Sequence, residues 1–382
     1  MGQPRPRWEK EVWTGRHPNP LACNTCIFRA TISQNILLDR ADTDTCEVYK
    51  QPDRKPNDVY WDGAPCEYYE AVDDKPQALL LGLAVGDALG VPVEFKERGS
   101  FQVKGMLGYG THNQPAGTWS DDTSLALILA DNLGTEGIFW KDLARSFVEW
   151  RDKGEFTPHG KAFDIGNATN WAIIRLKKGI EPTKAGGKDE RDNGNGSLMR
   201  IAPLVFYMFG KKPQERYEIT KNVSSVTHAH PISITACFIY IEFLRLLSFG
   251  RSKKVAYTEL RENFVYYKKF LDKSALAKFE RILNGDVSTL KESEIKSTGY
   301  VVDTLEAALW SFLITRNYGE AVLKAVNLGD DTDTTGAVTG AMAGLHYGLK
   351  DIPQDWLDKL AKREFIRDIA IKMPRWDLLP SA

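Results

Sequence analysis

Two clusters of carboxylate and hydroxyl side chains, far apart in the sequence, have the residue types that could do chemistry in this chain of 382 residues. One is the stretch SDDT at residues 120–123, and the other is DDTDT at residues 330–334. Like charges about 4 Å apart repel by about 1 kcal/mol in water and about 4 kcal/mol near a protein surface. Each cluster therefore needs either full exposure to water or a counter-charge.

Both clusters stand at the start of a predicted helix, where a single Ser or Asp ordinarily caps the first turn. Capping uses one side chain per helix end, whereas each cluster offers several. If the two helix starts meet, their negative charges share one place, and two divalent cations would balance them. Carboxylate and hydroxyl oxygens favour a hard ion such as Mg²⁺ over zinc. The candidate carboxylate ligands are Asp121, Asp122, Asp331 and Asp333.

Such a two-metal site could serve phosphoryl transfer, hydrolysis or simple binding, and the clusters alone do not choose among these chemistries. Asp330 is next to the second cluster and is expected to stay outside the site. The choice of chemistry depends on the motifs around the clusters and on the elements that hold them.

The elements that must position these clusters are predicted to be helices. From about residue 77 to residue 375, apolar residues recur with helical spacing, and no convincing alternation of period two indicates a strand. The sequence therefore predicts an all-α domain, decorated by a charged helical insertion over residues 250–298. Besides two glycine-bearing helices, the predicted helices are at 120–133, 141–154, 167–179, 197–210, 233–247 and 301–315.

Glycines spaced four residues apart mark two of the predicted helices, so that each set lines one helix face. The two sets are Gly82, Gly86 and Gly90, and Gly336, Gly340 and Gly344. A glycine in a helix interior costs about 1 kcal/mol relative to alanine. The close approach of a neighbouring helix is the simplest compensation for that cost.

Residues 1–74 differ in composition from the rest and are predicted to form an irregular extension to the helical domain of residues 75–382. They are rich in Pro and aromatic residues and show no helical period. Four of the five cysteines of the chain lie there, namely Cys23, Cys26, Cys46 and Cys66. The Cys-x-x-Cys pair favours a zinc site, but the other two cysteines stand alone, whereas structural zinc sites usually bring two close pairs. A Zn²⁺ site and four reduced thiols both stay open.

The composition argues against several classes of function. The net charge of −1 provides no basic surface for nucleic acid, and no polybasic segment indicates membrane binding. The start of the chain has no apolar signal-peptide core. The most apolar stretch, residues 231–247, contains Glu242 and Arg245, which argues against a membrane span. The expected location is the cytoplasm.

Six motifs occur in the same order as in the ADP-ribosylglycohydrolase family, which the chain resembles over residues 77–375. They are GLAVGDALGVPVEF, GTWSDDTSLAL, FDIGNATNWA, GNGSLMRIAPL, THAHP and GDDTDTTGAVTGAMAG. The family includes the hydrolase that reactivates dinitrogen reductase. The resemblance implies an all-α orthogonal helical bundle with two Mg²⁺ ions, or sometimes Mn²⁺, in a central cleft. It also implies a hydrolase that removes ADP-ribose from modified protein side chains, most often arginine.

The resemblance implies a metal-ligand set drawn from both clusters. The implied ligands are Ser120, Asp121, Asp122, Asp331, Asp333 and Thr334. Two positions depart from the commonest pattern of the family. Ser120 stands where many members have Thr, and either residue offers a hydroxyl oxygen. Asp330 stands where Gly is frequent, so it could add charge beside the second metal.

The resemblance also implies catalytic and substrate-binding residues. Glu94 matches a glutamate on a mobile loop over the site, and Asp164 matches an acidic residue close to the substrate. Either of these candidate catalytic carboxylates could be the acid or the base. The implied contacts to ADP-ribose are a loop with Asn195, Gly196 and Ser197, and a histidine near the distal ribose, His230.

Two further possibilities come from the motifs and from the extension. His228 and His230 could form a zinc pair, although helix capping or substrate contact is favoured because no third soft ligand is nearby in sequence. Some relatives within the family neutralise ADP-ribosylating toxins as immunity proteins. The extension could therefore bind a cognate ADP-ribosyltransferase toxin, alongside hydrolysis of an ADP-ribosylated protein substrate.

Overall fold

The computed structural model describes residues 74–134 and 137–373 of the chain. The predicted extension, except for its last residue, lies outside these residues, as do the four cysteines of the candidate zinc site.

The described part contains 14 α-helices, which we number in chain order. The longer ones are α1 (Asp74–Gly90), α2 (Asp121–Asn132), α3 (Trp140–Lys153), α4 (Asn167–Lys177), α5 (Pro213–Ser224), α6 (Pro231–Ser248), α7 (Lys253–Tyr267), α10 (Val301–Ile314), α11 (Tyr318–Val326), α12 (Thr332–Tyr347) and α14 (Arg363–Lys372). The shorter ones are α8 (Lys273–Leu276), α9 (Glu280–Leu283) and α13 (Gln354–Lys359). One antiparallel hairpin pairs β1 (Leu133–Gly134) with β2 (Gly137–Ile138).

The predicted all-α fold is confirmed, but one predicted helix is absent. Residues 197–210 form turns and a single six-residue 3₁₀ helix, Ala202–Tyr207. Proline is tolerated only in the first turn of a helix, so Pro203 prevents a regular helix from running through the middle of this segment.

The two glycine-bearing helices, α1 and α12, pack against each other in an antiparallel arrangement. The facing pairs are Gly82 with Gly340, Gly86 with Gly336, and Ala78 with Gly344. A Cβ atom on Gly86 would lie 2.1 Å from the carbonyl oxygen of Gly336, so the predicted close approach of a helix is present. The contact continues to Gly90, where a Cβ atom would lie 2.3 Å from the Cα atom of Asp333. The glycines thereby bring the end of α1 against the start of α12.

The most apolar helices lie in the core. Two segments, Lys75–Val93 and Pro231–Ser248, have the length and hydropathy of a membrane span, but their most apolar windows are 100% and 89% buried within the helical fold. This burial accounts for their hydropathy. The predicted insertion is helical, and Leu260, Phe264 and Tyr267 on α7 are buried. The insertion therefore contributes to the core and is more than a surface decoration.

Candidate active site

The starts of α2 and α12 meet at the candidate active site. The hydroxyl of Thr334 donates a hydrogen bond of 3.3 Å to Asp122 Oδ2, across 212 positions of the sequence. The same carboxylate oxygen accepts a hydrogen bond of 3.3 Å from Ser120 Oγ. Asp122 therefore lies between a hydroxyl of its own cluster and a hydroxyl of the other one. The structure thus brings the two acidic clusters together.

Asp87, from the interior of α1, fixes the start of α2. Its carboxylate accepts hydrogen bonds from the N–H of Ser120 at 2.9 and 3.0 Å, and from the N–H and hydroxyl of Thr123 at 3.1 and 2.6 Å. The side chain is fully buried, and burial raises the pKa of its carboxyl to about 7. Asp87 therefore satisfies backbone donors that the first turn of α2 cannot satisfy by itself.

The carboxylates at the two helix starts are buried and incompletely paired. One oxygen each of Asp122, Asp331 and Asp333 is shielded from solvent and has no hydrogen-bond partner. Burial raises the pKa of Asp121, Asp122 and Asp333 well above the ordinary range, and the negative charges of neighbouring carboxylates raise it further. Buried charges in proteins are normally paired or bound to metals. A cation would supply the positive charge that these carboxylates lack.

The side chain of Asn195 joins the second cluster to the loop of residues 193–197. Its Nδ2 donates hydrogen bonds of 2.9 Å to Asp331 Oδ2 and to Thr304 Oγ1. Burial raises the pKa of Asp331, and the hydrogen bond from Asn195 opposes that rise. The backbone of Asp331 is also fixed, because its N–H donates to the carbonyl of Ser297 at 3.0 Å. Asn195 therefore orients a carboxylate of the site.

Glu94 and Asp164, the predicted catalytic pair, lie together with His112 beside the acidic clusters. One ligand atom from each of these three residues lies within 4.8 Å of the others, and a second group of the same kind joins Glu94 to Asp331 and Asp333. His112 Nε2 is hydrogen-bonded to Glu94 Oε2. Burial raises the pKa of Glu94 to about 8, although this hydrogen bond opposes the rise. The same contact raises the pKa of His112, so the pair holds a proton at the edge of the site.

The loop that follows Glu94 is held against the start of the second cluster. The N–H of Phe95 donates to the carbonyl of Asp330 at 2.7 Å, and the N–H of Asp330 donates to the carbonyl of Lys96 at 2.9 Å. Asp330 has a φ of 56°, a conformation that glycine adopts at no steric cost. Its side chain is exposed, so it is not one of the buried carboxylates.

The predicted contacts to ADP-ribose fall in different environments. Gly196 lies against His228, because a Cβ atom at Gly196 would be 2.7 Å from His228 Cε1. Ser197 is fully buried, and its Oγ lies 3.4 Å from Cys237 Sγ, so its hydroxyl faces the core. His230 is the N-cap of α6, where its Nδ1 accepts a hydrogen bond of 3.3 Å from a first-turn N–H. The structure shows no contact between His230 and the described carboxylates at the starts of α2 and α12.

A second histidine, His228, faces the same loop as a neutral ring. Its Nδ1 lies 2.8 Å from Thr227 Oγ1, which accepts a hydrogen bond of 2.8 Å from Arg200 Nη2. A hydroxyl has one proton and two lone pairs, so Thr227 can either donate to His228 Nδ1 or accept from it. Burial lowers the pKa of His228 to about 3. The ring is therefore neutral, and its Nε2 would lie 3.3 Å from a Cβ atom on Gly196.

Two residues of the site, Asp87 and His112, were not predicted from the sequence. Asp87 is the lone charged residue between residues 78 and 93, and a carboxylate in so apolar a helix is a signal that could have found it. No comparable signal marks His112, which lies in a polar loop before the first cluster. For His228 the sequence predicts a cap, a substrate contact or a zinc ligand. Its ring contacts Thr227 Oγ1, whereas the ring of His230 caps α6.

The chain is similar to known ADP-ribose hydrolases over most of its length. A family model described as ADP-ribosylglycohydrolase matches residues 69–379. The ADP-ribosylarginine hydrolase Tri1 of Serratia proteamaculans is 36% identical over 310 residues, which cover 80% of this chain and 81% of that protein. The ADP-ribosyl-(dinitrogen reductase) glycohydrolase of Rhodospirillum rubrum is 30% identical over 312 residues, which cover 78% of this chain and 95% of that protein.

A solved structure agrees with these relatives. It is described as an ADP-ribosylglycohydrolase-related protein complex and is 34% identical, with a TM-score of 0.67 over 80% of this chain and 99% of that one. Both acidic clusters and the loop of Asn195 lie within the residues that the family model matches. The family predicted from the six motifs is therefore confirmed: the chain belongs to the ADP-ribosylglycohydrolase family.

Proposed function

We propose that this chain is an ADP-ribosylarginine hydrolase, which cleaves the glycosidic bond between ADP-ribose and a modified arginine of a protein. The observation that carries the proposal is the contact between Asp122 and Thr334, which pools the buried carboxylates of two distant helix starts. The family of the chain supports the reaction. The name of the relative from Serratia proteamaculans supports arginine as the modified residue.

Two divalent cations, most simply Mg²⁺ with Mn²⁺ as the alternative, fit the pooled carboxylates. The fit rests on the unpartnered buried oxygens of Asp122, Asp331 and Asp333. It also rests on a donor set of carboxylate and hydroxyl oxygens, which hard ions prefer. When bound, the cations supply positive charge and a template that orients the ribose hydroxyls. The residues that would hold them are Ser120, Asp121, Asp122, Asp331, Asp333 and Thr334.

In this proposal Glu94, with His112 and Asp164 beside it, moves the protons of the reaction. Hydrolysis adds water to the anomeric carbon, breaks its bond to the guanidine nitrogen and returns a proton to that nitrogen. The transition state has oxocarbenium character, as in other glycoside hydrolysis, so nearby carboxylates stabilise it. Glu94, through its contact with His112, can take the proton of the water or give one to the leaving nitrogen. Such proton transfer is typically worth about 10²- to 10⁴-fold in rate.

The loop of residues 194–197 is the proposed contact surface for the rest of ADP-ribose. Its glycine-rich backbone can present N–H groups to phosphate oxygens. Asn195 orients Asp331, and His228 Nε2 adds a polar ring nitrogen beside Gly196. The buried hydroxyl of Ser197 limits that residue to backbone contacts.

His230 stays a predicted contact to the distal ribose. Its side chain is partly exposed, and its Nε2 lies 3.9 Å from Glu190 Oε1. A ribose hydroxyl could hydrogen-bond to this nitrogen, because Nδ1 is already used to cap α6.

The direct test is the release of ADP-ribose from a protein modified on arginine, measured with Mg²⁺ and with a chelator. We expect release with Mg²⁺ and none with the chelator. Asp331→Ala is expected to lose at least about 100-fold in kcat/KM, because the removal of outer partners of metal ligands alone costs about 10- to 100-fold. Full activity of Asp331→Ala would end the proposal.

We also propose that residues 1–74 bind a cognate ADP-ribosyltransferase toxin in the cytoplasm, so that the chain acts as an immunity protein. The family model begins at residue 69, which leaves most of this Pro- and aromatic-rich segment outside the matched hydrolase region. The test is the protection of cells that produce the toxin. Asp331→Ala is expected to protect, and deletion of residues 1–74 from that variant is expected to abolish protection. Protection by the doubly altered chain would contradict toxin binding through the extension.

A further inference from the structure

Three aromatic rings form a row along the rim of the candidate active site. The ring centroids of Phe95 and His112 lie 6.1 Å apart, and those of His112 and Phe163 lie 5.3 Å apart. The middle ring contacts Glu94, and Phe163 directly precedes Asp164 in the chain. The row therefore borders the two carboxylates that are proposed to move protons.

The backbone is left-handed at Phe95 and at the residue that follows Phe163. Phe95 is 67% exposed and has a φ of 63°, which is uncommon for a large side chain. Asp164, next to Phe163, has a φ of 55°. The N–H of Phe95 is bonded to the carbonyl of Asp330, so the fold holds this conformation in place. Strained residues that the surrounding structure holds are concentrated at functional sites.

The exposure of Phe95, together with its ring contact to His112 in the row, indicates that its ring serves a ligand. A ring that is mostly in water gains little from packing, and a left-handed backbone would favour Gly or Asn over Phe. The ring is nevertheless held within stacking distance of His112, whose other contact is Glu94. An aromatic face beside carboxyl oxygens that accept hydrogen bonds suits a flat cation with several N–H donors.

We propose that Phe95 and Phe163, whose rings flank His112, bind the guanidinium of the modified arginine and so select a cationic leaving group. This inference rests on the proposed function. A guanidinium is planar and weakly hydrated, stacks on aromatic rings, and is attracted to a ring face within about 6 Å of the centroid. Glu94 and Asp164 add hydrogen-bond acceptors for the N–H groups of a guanidinium beside the rings. A neutral leaving group, such as the hydroxyl of a modified serine, gains from neither contact.

The test compares leucine variants, which keep an apolar side chain but lack a ring. Phe95→Leu and Phe163→Leu are each expected to lower kcat/KM for arginine-linked ADP-ribose by about 3- to 30-fold, as the loss of a cation–π contact predicts. Phe95→Tyr keeps the ring and is expected to keep the activity. The Kd for free ADP-ribose, which has no guanidinium, is expected to stay within about twofold of wild type for all three variants.

Tyr109 provides the matched control. It is 64% exposed and has a φ of 66°, like Phe95. The structure shows no ring contact between Tyr109 and the row among the described residues. Tyr109→Leu is therefore expected to leave kcat/KM for arginine-linked ADP-ribose unchanged.

Three outcomes would count against the inference. Unchanged kcat/KM of both leucine variants would overturn it. A loss of affinity for free ADP-ribose as large as the loss of kcat/KM would also overturn it, because the rings would then contact another part of the substrate. Failure of the wild-type chain to release any ADP-ribose from arginine would instead refute the proposed function, and this inference with it. The wild-type measurement therefore separates the two kinds of failure.

Discussion

Asp122 Oδ2 lies 3.3 Å from the hydroxyl of Thr334, although the two residues are 212 positions apart in the sequence. Helix α1 makes this contact possible without contributing to it directly. Its Asp87 holds the start of α2 through hydrogen bonds, and its Gly90 lies against the backbone of Asp333 at the start of α12. One buried helix therefore positions both halves of the candidate active site.

Gly86→Ala is expected to lower stability and activity together. Its methyl group would lie 2.1 Å from the carbonyl oxygen of Gly336, and such overpacking typically costs about 1–3 kcal/mol. Separation of the helices would also displace Asp333, which Gly90 touches. Gly319→Ala in α11 is the control, since its methyl group would meet no atom closer than 3.6 Å. Urea unfolding measures the stability, and ADP-ribose release measures the activity. Equal stability and activity of Gly86→Ala and Gly319→Ala would contradict the claim that the glycines allow α1 and α12 to pack closely.

Asn195→Ala is expected to weaken divalent-cation binding, and hydrolysis with it, by about 10- to 100-fold. The change removes the amide that donates to Asp331 Oδ2 at 2.9 Å, so this carboxylate loses its orientation. Thr304→Val removes the other partner of the same amide and is expected to have a smaller effect. Calorimetric titration with Mg²⁺ measures the affinity. Wild-type affinity in Asn195→Ala would show that the hydrogen bond does not support the site.

His112→Phe is expected to move the pH profile of activity, because it keeps the ring but removes the hydrogen bond to Glu94. Burial raises the pKa of Glu94 to about 8, and the hydrogen bond from His112 opposes that rise. Without the bond, the pKa of Glu94 rises further. The limb of the kcat/KM profile that belongs to Glu94 therefore moves to higher pH. The Glu94→Gln variant identifies this limb, because the limb is missing from its pH profile. A His112→Phe profile that matches the wild-type profile would show that the hydrogen bond from His112 does not set the pKa of Glu94.

Glu242→Gln tests a buried ion pair outside the candidate active site. Burial alone would raise the pKa of the Glu242 carboxyl, but two hydrogen bonds of 2.6 Å from Arg216 help to outweigh burial, so the pKa lies below its ordinary value. Such a group stabilises the fold above the unfolded-state pKa of about 4.3, and this contribution is lost as the pH falls through the lower, folded-state pKa. Removal of one partner of a buried pair typically costs about 3–5 kcal/mol.

The measurement for this pair is urea unfolding near neutral pH and in acid. Glu242→Gln is expected to show the full cost near neutral pH and a weaker dependence of stability on pH in acid than the wild type. Glu218→Gln is the control, because Glu218 is half exposed where it pairs with Lys221 at 3.1 Å. Exposed pairs are worth about 0–1 kcal/mol. An equal loss of unfolding free energy in the two variants would show that the buried pair stabilises the fold no more than the exposed pair does.

The sequence predicted those parts of the structure that leave local signals. Helical periodicity and two acidic stretches at helix starts are properties of short windows, and apart from residues 197–210 the predicted helices and both helix starts are present in the structure. The glycine spacing predicted a close helix neighbour but not that the two glycine faces meet each other. That pairing depends on tertiary packing, as does the capping of α2 by Asp87 from another helix.

Two differences show where a local pattern was outweighed. Residues 197–210 have the apolar spacing of a helix, but Pro203 removes a backbone donor in the middle of the segment. His230 and His228 belong to the same short motif. Pro231 begins α6 and makes His230 its N-cap, so its ring turns to the helix, while His228 faces the loop of Gly196. The His-Pro pair was a capping signal already present in the sequence.

The central claim is that the carboxylates of two helix starts hold divalent cations together. The most direct measurement is calorimetric titration of Mg²⁺ into the metal-free chain and into Asp122→Asn, with the exposed neighbour Asp330→Asn as the control. We expect about two equivalents of Mg²⁺ in the wild type and in Asp330→Asn, and the loss of at least one in Asp122→Asn. Binding that is absent from the wild type, or unchanged in Asp122→Asn, would contradict the claim.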